Sequence, residues 1–124
     1  MIRRHVVAVT TAADGSATVY SPVLSGFIHA IEYLKTNFAD GVDFTITAEA
    51  TGETIWTESN VNAAKVCAPR LPTHSTAGVA ALYAAGGTAV NDRVALGGDR
   101  VKIVIASGGN ATTGAFHILV DDGK

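Results

Sequence analysis

The chain has 124 residues, of which 48% are hydrophobic and 16% charged, and its formal net charge is −2. That length fits one domain around one core, and the scattered Lys and Arg exclude the basic stripe of a nucleic-acid-binding protein. A lone cysteine, Cys67, excludes an internal disulfide framework and reads as a packed structural thiol, while no run of about 18 apolar residues offers a membrane span.

Val, Ile and Thr are frequent, which favours pleated sheet over helix because β-branched side chains lose χ1 freedom in a helix. Ile2 to Val9 reads as an opening strand, closed by a turn at Asp14-Gly15. Phe27 to Lys35 admits two readings. As a strand it puts Phe27, Ile31 and Tyr33 on one face and Ile28, Ala30 and Leu34 on the other. As a short helix it stripes Ile28, Ile31 and Leu34. Gly26 and the β-branched residues favour the strand. Val42 to Glu49 alternates without a break, so Val42, Phe44, Ile46 and Ala48 are expected inside and Asp43, Thr45, Thr47 and Glu49 outside. Thr51-Gly52 is turn chemistry, and Glu53 to Glu58 is the expected partner strand.

Pro69 and Pro72 frame a segment that cannot sit in a central strand, so an edge or a crossover between sheets is expected there. Val79 to Ala85 is Ala-rich but flanked by Gly78 and Gly86-Gly87, which leaves helix, strand and irregular connection open. Arg100 to Ser107 alternates again with Val101, Ile103 and Ile105 inward. Ala115 to Val120 does the same with Phe116, Ile118 and Val120 inward. Frequent turns between short strands give an all-β class and an antiparallel, jelly-roll-like β-sandwich. It spans residues 1–124 as one domain, with room for one short helix. Residues 1–10 are expected to engage a neighbouring subunit, as an arm or as a strand added to its sheet edge.

Catalytic chemistry finds no foothold. His5, His29, His74 and His117 are far apart, with no metal-ligand pair among them. The serines around Ser75 and Ser107 lack a nucleophile elbow, and the Gly pairs lack a phosphate-loop pattern. Asp40 and Asp43, like Asp121-Asp122, do not make a calcium loop. Glu49, Glu53 and Glu58 near Trp56 would suit a sugar site only if Trp56, Tyr20, Tyr33 and Tyr83 formed an exposed platform. No catalytic, cofactor-binding or metal-binding residue is therefore assigned, and no enzymatic activity is expected. The low charge, against about 25% in typical domains, points to a surface of Ala, Thr, Ser and Gly suited to subunit contact. The start of the chain lacks the positive-then-apolar layout of a secretory signal, so assembly in the cytoplasm is expected.

Phe38 to Trp56, Pro69-Arg70, Asp92-Arg93-Val94 and Asp99 to Val104 together resemble small virion proteins encoded among the head genes of tailed phages. That resemblance implies a β-sandwich on the capsid exterior, of the head decoration (cement) type. It implies the major capsid protein and further copies of the chain, as a homotrimer, as partners, and neither nucleic acid nor membrane. It transfers no functional residues. A head–tail connector or a tail or fibre component is the alternative it leaves, and a carbohydrate-binding β-sandwich is a second.

Overall fold

A computed structural model describes all 124 residues and contains ten strands and no helix. The strands are β1 (Ile2–Thr10), β2 (Ala17–Tyr20), β3 (Leu24–Lys35), β4 (Val42–Ala48), β5 (Thr54–Val61), β6 (Lys65–Cys67), β7 (Arg70–Pro72), β8 (Asn91–Asp99), β9 (Val101–Ala106) and β10 (Thr113–Asp121). One sheet runs β1-β10-β3-β8-β7, with β6 also on β3; the other runs β2-β9-β4-β5. All pairs are antiparallel.

The pairing is nested. β4 pairs β5, β3 pairs β8, β2 pairs β9 and β1 pairs β10. A long hairpin folded over on itself gives this order, and it is the jelly-roll wrapping of two four-stranded sheets. The short strands β6 and β7 are inserted between the fifth and sixth strands of that scheme. β3 is long enough to take β8 along its first half and β6 along its second.

The alternating segments behave as expected. Val42, Phe44, Ile46 and Ala48, then Val101, Ile103 and Ile105, then Phe116, Ile118 and Val120 are all buried between the sheets. An aromatic knot fills the centre: Tyr33, Phe44 and Phe116 lie with ring centroids 5.2 Å apart, and Trp56 meets Phe44 edge-on at 4.8 Å. Such tilted and edge-on contacts suit the ring quadrupoles.

One expectation needs correction. Phe27 to Lys35 is strand, but the two faces differ from the alternation. In the pairing with β10, Leu119 faces Ala30 and Val120 faces Ile28, so His29 is an extra residue. One inserted residue flips every side chain beyond it to the opposite face. Ile28, Ile31 and Tyr33 therefore all enter the core, while Phe27 and Leu34 are exposed. Of the readings open for Val79 to Ala85 the irregular connection holds and no short helix forms, because seven residues between glycines cannot repay helix nucleation.

The proline segment lies at an edge, where β7 ends on Pro72 as the outermost strand. The crossover between sheets falls just before it, between β5 and β6. Residues 1–10 are not a detached arm: β1 pairs with β10 from Ile2–Asp121 to Thr10–Thr113 without a register shift, and Val7 and Val9 are in the core.

Candidate interaction surface

The surface carries no concave pocket, and no three His, Cys, Asp or Glu side chains converge as metal ligands. The four histidines are dispersed: His5 on β1, His29 at the β3 bulge, His74 beyond β7, and His117 on β10. Cys67 ends β6, packed against the core, and partial burial raises its thiol above its ordinary value. Asp40 pairs with Lys35, and Asp43 accepts the Asn60 N–H at 2.8 Å.

The acids considered for a sugar site are each engaged elsewhere or isolated. Glu49 accepts from Arg100 Nε at 2.8 Å, and that bond holds its carboxyl below the usual range. Glu58 takes the Lys65 ammonium at 2.8 Å and the Trp56 indole N–H at 3.3 Å, and Lys65 is the main cause of its lowered value. Glu53 stands exposed. The aromatic platform does not assemble, because Trp56 and Tyr33 belong to the core. Tyr20 lies under the Arg100 guanidinium, 4.2 Å from its ring centroid, and Tyr83 stands alone and exposed.

Three surfaces remain. On the outer face of the β2-β9-β4-β5 sheet, Thr18, Val104, Thr45 and Thr57 line up across all four strands. On the outer face of the other sheet the corresponding row is Val6, His117, Glu32 and Val66. Arg4 bonds Glu32 there and lies 2.8 Å from His117 Nδ1, so the charges at the centre of that face compensate one another.

The third surface is the excursion from Thr73 to Val90, between β7 and β8. No Asp, Glu, Lys or Arg occurs from Leu71 to Asn91. Its backbone is braced. Thr73 N–H donates to Val90 carbonyl at 2.8 Å, Val90 N–H to Ala81 at 2.9 Å and Ala81 N–H to Thr73 at 3.0 Å. Two tight turns complete it, with Gly78 N–H donating to the Ser75 carbonyl at 2.9 Å and Gly87 N–H to the Ala84 carbonyl at 2.8 Å. Its apolar side chains point away from the sandwich: Tyr83 is 74% exposed, Val79 64% and Leu82 44%. Loops longer than about 12–15 residues are uncommon in compact domains and usually functional. The loop is held by its own hydrogen bonds and exposes an aromatic with two aliphatics, and it carries no charge that a contact would have to desolvate.

The sequence marks this surface only by the run without Asp, Glu, Lys or Arg from Leu71 to Asn91. No family model, curated protein or solved structure matches the chain.

Proposed function

We propose that this chain is a non-enzymatic structural protein of a tailed-phage virion, a capsid decoration subunit that grips the lattice of the major capsid protein. The observation that carries the contact half of this reading is the braced, uncharged excursion Thr73–Val90 with Val79, Leu82 and Tyr83 exposed. The phage half rests on the sequence resemblance. A jelly roll suits the role, since it is a common capsid-protein architecture, although a fold hosts many functions. A modest contact suffices, because copies on a repeating lattice gain occupancy from multivalency.

The test is sedimentation of the purified chain with heads that lack decoration. Wild type should load to hundreds of copies per head, as a lattice binder must. Leu82→Asp combined with Tyr83→Ala should weaken loading at least about tenfold, because a charge and a lost anchor fall at the contact, while the circular dichroism stays unchanged. Saturation at about a dozen copies would instead place the chain at a symmetric head–tail or tail ring. Absence of the chain from every particle fraction would overturn the reading.

A further inference from the structure

The jelly roll has four outer edges, and their protection is unequal. β7 is three residues long and ends in Pro72. β2 is four residues long. β5 carries two register shifts, and Asn60 within it has a φ of 56°. The inserted β6 has only three residues. Short strands, prolines and bulges are the usual devices that stop an edge from templating another chain. β1 has none of them: it is nine residues long, contains no proline and runs in unbroken register with β10.

The direction of its free groups follows from two hydrogen bonds at its ends. Thr11 N–H donates to the Thr112 carbonyl at 2.9 Å, and Asp122 N–H donates to the Met1 carbonyl at 3.1 Å. Bonded pairs alternate along an antiparallel ladder, so the odd-numbered residues of β1 are those bonded to β10. Ile2, Arg4, Val6, Ala8 and Thr10 therefore aim their backbone N–H and C=O groups at the open edge. Their side chains lie on the outer face, where Val6 is 57% exposed and Ile2 50%.

We infer that β1 is the docking edge for a second copy of this chain, pairing antiparallel with the β1 of its partner about a twofold axis at Val6. In that register Val6 faces Val6 of the partner subunit, Arg4 faces the partner's Ala8 and Ile2 faces the partner's Thr10. Each outward backbone group finds a partner. The arginines at positions 3 and 4 of the two copies fall at opposite ends of the junction, so no like charges meet across it. The symmetry is the self-complementary twofold kind, and the two sheets become one continuous sheet. A threefold ring closed by edge pairing would need β1 to meet β2, β5 or β7, which are the blunted edges. The inference does not depend on the particle reading, since it concerns the isolated protein.

The experiment measures molar mass by light scattering during size exclusion, on the full chain and two variants. Wild type should show twice the 12.7 kDa chain mass. Val6→Lys sets two ammonium groups opposite each other at the axis, and Ala8→Pro removes an N–H that bonds nothing within the chain. Both should run as monomers with unchanged circular dichroism. Because either variant could disturb β1 itself, amide exchange of wild type supplies the independent readout. The amides of Ile2, Arg4, Val6, Ala8 and Thr10 should be protected at high protein concentration and exchange freely on dilution, while those of Val7 and Val9 stay protected throughout. A wild-type monomer at high concentration, a trimer, or a dimer whose even-numbered β1 amides exchange freely would overturn the inference.

Discussion

Tyr33 shows how a single buried polar atom can be tolerated and what it does. Its ring is fully buried in the aromatic knot, and its hydroxyl has no hydrogen-bond partner. An unmet buried hydroxyl is a liability of about 1–3 kcal/mol, so Tyr33→Phe should leave stability unchanged or raise it by about 1 kcal/mol in urea unfolding. Burial also pushes the phenol from 10.0 up to about 12. The neutral form is the one the fold favours, so that contribution is fully present below pH 10 and is lost as pH rises towards 12. The stability of wild type relative to Tyr33→Phe should therefore fall across that alkaline window. A constant difference between the two proteins from pH 9 to 12 would refute this account.

Gly26 and Gly52 separate conformational strain from steric collision. Both have positive φ, 127° and 73°. At Gly52 a Cβ would meet nothing, so Gly52→Ala should cost only the left-handed penalty of about 1–2 kcal/mol. At Gly26 a Cβ would strike the Asp121 carbonyl of the adjacent strand β10. Backbone cannot step aside like a flexible side chain, so Gly26→Ala should cost clearly more, about 3–5 kcal/mol in chemical denaturation. Equal losses at the two positions would mean that the β3–β10 junction gives way freely.

At the scale of elements, β1 is held to the C-terminal end by an electrostatic clamp. Arg3 Nε donates to Asp122 at 2.6 Å, the terminal ammonium lies 3.3 Å from the same carboxylate, and Arg93 reaches Asp121 at 3.0 Å. The Lys124 N–H and then Arg3 hold Asp122 at about 2, below its ordinary 3.8. A depressed carboxyl stabilises the fold above its unfolded value and stops doing so as pH falls through its folded one. The outer end of β1 should thus fray between pH 3.8 and about 2, seen as faster exchange of the Arg3 amide before the core opens. Asp122→Asn should show that faster exchange already at neutral pH.

Legibility in the sequence followed how much each element depends on distant partners. β4, β9 and β10 were readable because each strand has one buried and one open face, which imprints a period of two on its own residues. β3 was readable as a strand but not in its facing, because the His29 bulge exists only against β10, and nothing in Phe27–Lys35 alone records the extra residue. The pairings made by the acids and aromatics around Trp56 were hidden for a related reason. Periodicity could not show that Trp56 packs on Phe44 or that Arg100 takes Glu49. The excursion was legible in part: its missing charges were visible, whereas its bracing by Thr73, Ala81 and Val90 was not.

For the molecule as a whole, nested pairing sets an order of assembly. The innermost pair, β4 with β5, closes over the tight turn around Thr51-Gly52. The outermost pair, β1 with β10, joins residues at opposite ends of the chain. Closing long loops before any contact repays them is entropically unfavourable, so folding should proceed from β4–β5 outward and be slow, in the range of about milliseconds to seconds. Two core truncations test the order. Ile46→Val lies in the innermost hairpin and Val7→Ala in the outermost strand, and both side chains are buried. Ile46→Val should destabilise by about 0.5–1.5 kcal/mol and Val7→Ala by about 1–3 kcal/mol. In stopped-flow refolding the Ile46→Val loss should appear mainly as slower folding, and the Val7→Ala loss mainly as faster unfolding, because β1 docks after the barrier. The same logic bears on association. An edge that forms last is open longest, so a mutation that delays β1 should raise aggregation during refolding even where the native stability is hardly changed. Val7→Ala should accordingly refold in lower yield than Ile46→Val at matched stability, read as light scattering at rising protein concentration. Equal yields would show that β1 is already docked when the barrier is crossed.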